Sequence, residues 1–104
     1  GETDDNNPSW PANVKNTVDR LRSDLGIGDV PLVVGELLQP RYQAHNTLVN
    51  QLPNMISNAA VASSQGFGSL PASVDMFGNL HFDLAGQREF GRRFAAEMIE
   101  LLGE

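Results

Sequence analysis

Apolar positions along the chain change their spacing from segment to segment. Val14, Val18, Leu21 and Leu25 recur at helical spacing, with Lys15, Asp19, Arg20 and Arg22 off that stripe. This predicts a first helix that buries the four apolar side chains. Ser9 is placed to cap it, Pro11 is tolerated in its first turn, and Gly26 and Gly28 end it. From Val30 to Leu38 the apolar residues run without alternation and are β-branched in the middle. That is the pattern of a strand buried on both faces of a parallel sheet. Leu48, Val49, Leu52, Met55 and Ile56 return to helical spacing over about 44–56, and Pro53 predicts a kink or two short pieces there. Ala59 to Ser63 reads as a second short strand. Gln65 to Asn79 reads as a long loop, of the kind that more often serves function than decoration. A last helix runs from Asp83, its cap, to Leu102. Its apolar side is formed by Phe90, Gly91, Phe94, Ala95, Met98, Leu101 and Leu102. Gly86 and Gly91 within it predict close packing against another backbone.

Strands alternating with helices indicate an α/β fold with a parallel sheet and right-handed crossovers. Two strands are too few for such a sheet, which usually needs roughly four or five. The 104 residues therefore read as the second half of a domain rather than a whole one. Hydrophobic residues make up 40% and charged residues 19%, a composition that is neither disordered nor coiled-coil. No apolar run approaches the ~20 residues of a membrane helix, so no membrane partner is expected. The first seven residues are polar and acidic, unlike a signal peptide. Thirteen acidic against seven basic side chains give a net charge of −6, which argues against nucleic acid as a partner. The absence of cysteine excludes disulfides, thiol catalysis and cysteine-ligated metals.

In open α/β sheets the reacting groups lie beyond the carboxyl ends of the strands. Three segments fit: Gly1 to Asp4, after a strand not present in this sequence; Glu36 to Tyr42; and Gln65 to His81. His81, between a long loop and a capped helix, is the most informative residue. Such a position lets an imidazole face a cleft and be oriented by a carboxylate, although position alone favours a merely local hydrogen bond. Glu2 and Asp75 are the carboxylates that could hold its Nδ1 proton, the task of the acid in a Ser-His-acid triad. Taken singly, each reads first as a solvated loop residue, and so do Asp4 and Asp5, which otherwise read as capping residues. His45 reads as a surface or local-capping residue, and two histidines without ligand spacing are a poor metal signal. Arg88, Arg92 and Arg93 read as a solvated helix face paired with Glu89 and Glu97. Arg41 and Tyr42 border either a cleft or a loop surface. No serine lies in a nucleophile elbow. Ser63 and Ser64 come after the second strand, but nothing in the sequence marks either as activated.

Taken together, these segments resemble a known family. Gly1-Glu2-Thr3-Asp4 resembles the end of the His-Gln-Gly-Glu-Ser/Thr-Asp block of the sialate O-acetylesterase and carbohydrate esterase family 6 group, within the SGNH hydrolase superfamily. Leu80-His81-Phe82-Asp83, continued by Gly86-Gln87-Arg88-Glu89-Phe90-Gly91 and Arg93-Phe94-Ala95, resembles that group's histidine block and closing helix. Leu21 to Gly26, Pro31 to Leu37 and Asn50 to Ser64 resemble the intervening elements in order. The resemblance implies the C-terminal half of a flavodoxin-like α/β/α sandwich with a parallel sheet, spanning residues 1–104, the nucleophile-bearing N-terminal part being absent. It implies serine-type removal of O-acetyl groups from sugars such as acetylxylan or O-acetylated sialic acid, without a cofactor or metal. His81 would be the general base, and Glu2 or Asp75 its orienting acid. Many members carry Asp three residues before the histidine. Here that position is Gly78, which favours Glu2 unless the loop bulges to bring Asp75 in. The implied partners are an acetylated carbohydrate and the N-terminal half of the same enzyme, as a separate chain or cleaved segment. The implied location is extracellular or periplasmic. The competing reading is a non-catalytic carbohydrate-binding or assembly module derived from the same fold.

Overall fold

The computed structural model describes residues 2–71, 73–75 and 80–103. After a single 3-10 turn (Glu2–Asp4), the elements are α1 (Trp10–Leu25), β1 (Leu32–Gly35), α2 (Gln43–Val49), α3 (Leu52–Met55), β2 (Ala59–Ala62) and α4 (Leu84–Leu101). The two strands pair in parallel, Leu32 opposite Ala59 and Gly35 opposite Ala62, and helices flank the sheet. This is a partial α/β fold. Leu32 N donates to Asn58 O and Glu36 N to Ala62 O, so the even-numbered residues of β1 face β2. Val33 and Gly35 face the opposite edge, along which no strand lies among the described residues.

The ends of α1 are set locally. Ser9 occupies the N-cap position, but its side chain makes no capping bond; Asn7 Oδ1 accepts the Ser9 N–H instead. Gly26 closes the helix in the left-handed conformation at φ +63°, where its N–H reaches the carbonyls of Arg22 and Ser23. The apolar stripe departs from expectation. Leu21 and Leu25 are 52% and 63% exposed, whereas Arg22, off the stripe, is buried. Its guanidinium donates from Nη2 to the carbonyls of Val30 (2.7 Å) and Ser57 (2.9 Å), which ties α1 to the starts of both strands. Leu21 and Leu25 instead line a shallow apolar groove with Val18, Ile27, Val30 and Leu32.

Strand β1 is shorter than the apolar run and only half-buried, because a two-stranded sheet leaves one edge and part of each face uncovered. The second helical stretch is broken in two around Asn50 and Gln51, just ahead of Pro53. Proline has no N–H to continue the ladder, and its ring would meet the carbonyl one turn earlier. The core gathers Leu38, Tyr42, Val49, Leu52, Ile56 and Ala62. Tyr42 is thus a core residue, not a cleft border. His45 is also core, at 1% exposed, with its ring edge-on to Trp10 at 4.5 Å. The helical spacing agrees with this, since His45 lies one turn before Val49 on the buried face of α2; the polarity of its side chain alone points to the surface.

Helix α4 packs on both strands. Asp83 caps it by accepting from Gly86 N at 2.7 Å. A Cβ at Gly86 would stand 3.1 Å from Asp83 Oδ1 and 3.3 Å from Phe67 Cβ, so this glycine serves close packing, though against side chains and not another backbone. Gly91 does not: nothing lies within 4 Å of where its Cβ would be. The close approach predicted for Gly91 occurs instead at Gly35, whose missing side chain leaves room for Phe90 and Phe94 of α4. Phe67, Phe82, Phe90 and Phe94 form a chain of tilted and edge-to-face contacts, with neighbouring centroids 4.8–5.5 Å apart.

Candidate active site

The loop after β2 is laid out by its own backbone. Phe67 N donates to Ser64 O, which turns the chain. Gly68 to Leu70 then run antiparallel to His81 to Asp83, with Leu70 N donating to His81 O (3.0 Å) and Asp83 N to Gly68 O (2.9 Å). The aromatic chain anchors this pairing through Phe67 and Phe82. Arg93, expected to be a solvated helix residue, does more. Its Nη1 donates to the carbonyls of Ser63 and Gln65, its guanidinium stacks 4.3 Å above the Phe67 ring, and Glu89 pairs with it at 3.5 Å.

A turn at Pro71 brings in the acid. Its carbonyl accepts from both Val74 N and Asp75 N at 2.9 Å. Asp75 is buried, and its Oδ2 accepts the backbone N–H groups of Leu80 (3.2 Å) and His81 (3.1 Å). The same oxygen lies 3.3 Å from His81 Nδ1. Glu2 Oε1 lies 3.8 Å from the other ring nitrogen, Nε2. The imidazole is therefore flanked by a carboxylate on each side, and the two are unequal. The Asp75 side chain is 4% exposed, so its attraction acts with little solvent screening; that of Glu2 is 39% exposed. The His81 side chain is itself 58% exposed. All three candidate residues converge, with Asp75 on Nδ1 and Glu2 on the Nε2 side. Gly78, the departure from the family pattern, lies outside the described residues.

The serines after β2 do not join this group. Ser64 is fully buried and its hydroxyl donates to Leu37 O at 2.7 Å; Ser63 Oγ accepts from Gln65 N. Among the described residues no serine hydroxyl is hydrogen-bonded to His81, and no three His, Cys, Asp or Glu side chains are grouped to hold a metal. An open depression of about 350 Å³ lies beside the same loop–helix junction, lined by Gln65, Phe67, Asp83, Glu89 and Arg93.

The structure thus sets a carboxylate–imidazole pair between the loop after β2 and the start of α4, in a partial α/β fold. Residues 1–100 match the family model described as carbohydrate esterase, sialic acid-specific acetylesterase. The chain belongs to this carbohydrate esterase family. No solved structure matches it. Among the described residues no helix is long and apolar enough to cross a membrane.

Proposed function

We propose that this chain supplies the histidine and acid of a serine-type carbohydrate O-acetylesterase. The observation that carries the reading is the 3.3 Å contact between buried Asp75 and Nδ1 of the largely exposed His81 side chain. In this reading Asp75 fixes the tautomer with the proton on Nδ1 and stabilises the imidazolium when it forms. His81 Nε2 takes the proton of a serine hydroxyl as that oxygen attacks the acetyl carbonyl carbon. It then returns the proton to the sugar oxygen as the tetrahedral intermediate collapses. Water enters the acyl-enzyme by the same route, and acetate leaves. Glu2, beside Nε2, borders the space where serine and ester meet and is assigned to shaping it. The substrate is an O-acetylated sugar, and the setting is extracellular or periplasmic.

The serine is assigned to a polypeptide segment outside residues 1–104, either another part of the same enzyme or a separate chain. Two features support this. His81 stands open to solvent, and among the described residues no strand lies along the Val33–Gly35 edge of β1, an edge that can accept one. Intact-mass measurement of the purified material tests the composition: a second polypeptide with a serine in a Gly-Asp-Ser or Gly-Gln-Ser turn is expected. Acetyl ester hydrolysis by the combined material should disappear in His81→Ala. Hydrolysis that survives His81→Ala overturns the assignment.

A further inference from the structure

Glu36 is a carboxylate that the proposed chemistry leaves unused, yet it is 8% exposed at the point where β1 ends. Burying a carboxylate is costly unless its oxygens are well supplied with donors. Here they are. Oε1 accepts Ser64 N at 2.8 Å and Gln39 Nε2 at 3.0 Å, and Oε2 accepts Asn50 Nδ2 at 2.7 Å. Beside it, the Asn46 amide closes a two-way bond with Leu37, Oδ1 accepting from Leu37 N (2.7 Å) and Nδ2 donating to Leu37 O (2.9 Å). One side chain thus joins the exits of both strands to α2 and its C-terminal end.

These three donors matter because Ser64 is the root of the segment that reaches His81. Ser64 N is where β2 would offer its next rung to β1, and Glu36 Oε1 takes that rung in place of a backbone carbonyl. The chain then turns at Phe67, and the strip Gly68 to Leu70 carries His81 on its hydrogen bonds. Glu36 therefore fixes the root of the strip, Arg93 clasps the carbonyls on either side of that root, and the strip sets where His81 lies relative to Asp75. Only a group with two accepting oxygens satisfies three N–H donors from three segments; an amide in its place turns one accepting site into a donor.

We infer that Glu36 is a positioning residue for the His81–Asp75 pair, acting through Ser64 and the Gly68–Leu70 strip. The inference rests on the reading of His81 and Asp75 as the working pair. Its test does not depend on esterase activity, so the two can fail separately.

The experiment uses the full chain labelled with 15N. The His81 ring nitrogen shifts, assigned with His81→Ala, report the tautomer that Asp75 holds. Amide exchange at Leu70 and Asp83 reports the strip, and amides in the middle of α4 report the fold as a whole. Glu36→Gln should speed exchange at Leu70 and Asp83 by about tenfold or more. It should also move the His81 ring shifts toward the mixed tautomers of a free histidine, while α4 stays protected. Asn50→Ala, which keeps the carboxylate and removes one donor, should move the same signals by a smaller factor; it serves if Glu36→Gln does not fold. Unchanged His81 shifts and strip exchange in a folded Glu36→Gln or Asn50→Ala chain overturn the inference.

Discussion

Replacing Gly35 with alanine puts a methyl group where two phenyl rings already stand. The added Cβ would lie 2.6 Å from Phe94 Cζ and 2.8 Å from Phe90 Cζ. Carbon atoms in contact settle at about 3.5–4.0 Å, so the rings must retreat by roughly 1 Å. They cannot do so freely, since each is held in the chain of aromatic contacts that runs to Phe67 and Phe82. Overpacking of this kind costs about 1–3 kcal/mol. Alanine also restricts the unfolded chain, which returns about 0.4–1 kcal/mol because Gly35 does not use a left-handed backbone. The balance is a loss of about 1–2 kcal/mol, a fall in Tm of roughly 5–15 °C for a chain of this length. Thermal unfolding followed by circular dichroism measures it. The same substitution made beside Phe94→Leu should cost measurably less than it does alone. A Tm equal to or above that of the parent would refute the packing argument, and equal costs in both backgrounds would remove Phe94 from it.

Other substitutions test the cap, the acid, the buried serine and the apolar groove. Asp83→Ala removes the cap of α4 and should destabilise by about 1 kcal/mol in a urea melt. In the combined, serine-containing enzyme, Asp75→Asn should lower kcat on an acetyl ester by on the order of 10³–10⁴, because the wrong tautomer is then held, while Glu2→Gln lowers it far less. The reverse ranking would give the acid's role to Glu2. Ser64→Ala should cost about 1 kcal/mol of stability, measured in a urea melt, through the lost bond to Leu37 O; an unchanged midpoint would mean that this bond carries no net stability. Leu25→Glu, on the exposed groove, should change the stability of this chain by less than about 0.5 kcal/mol. If the serine-bearing segment seats there, its binding, measured by titration calorimetry, should weaken.

Much of the fold is legible in the sequence where a local rule suffices. Gly26 and Asp83 mark helix ends through backbone conformation and a side-chain cap, and Pro53 breaks its helix by covalent geometry. The errors come where burial is decided by partners distant in sequence. Arg22 is buried because carbonyls at positions 30 and 57 wait for it, and no periodicity encodes that. His45 is a core residue because α1 sets Trp10 against its ring, a contact between elements. At the site, the histidine could be located from its neighbours in sequence, but the acid could not. Asp75 reaches His81 through a turn that one carbonyl, that of Pro71, holds with two bonds, and spacing alone leaves Glu2 as strong a candidate. Glu36 opens one of the three segments placed beyond the strand ends, but no spacing shows that donors from Gln39, Asn50 and Ser64 converge on it.

Trp10 is the only indole in the chain, and it rests edge-on against His45 at the seam between α1 and α2. Indole emission responds to the groups packed against the ring, and here His45 is one of them. The protein therefore carries its own optical gauge of whether α1 is seated. Intrinsic fluorescence tracks that one joint without any label. Because α1 also bears the exposed groove of Leu21 and Leu25, the same signal can show whether a polypeptide arriving there disturbs the joint or leaves it intact.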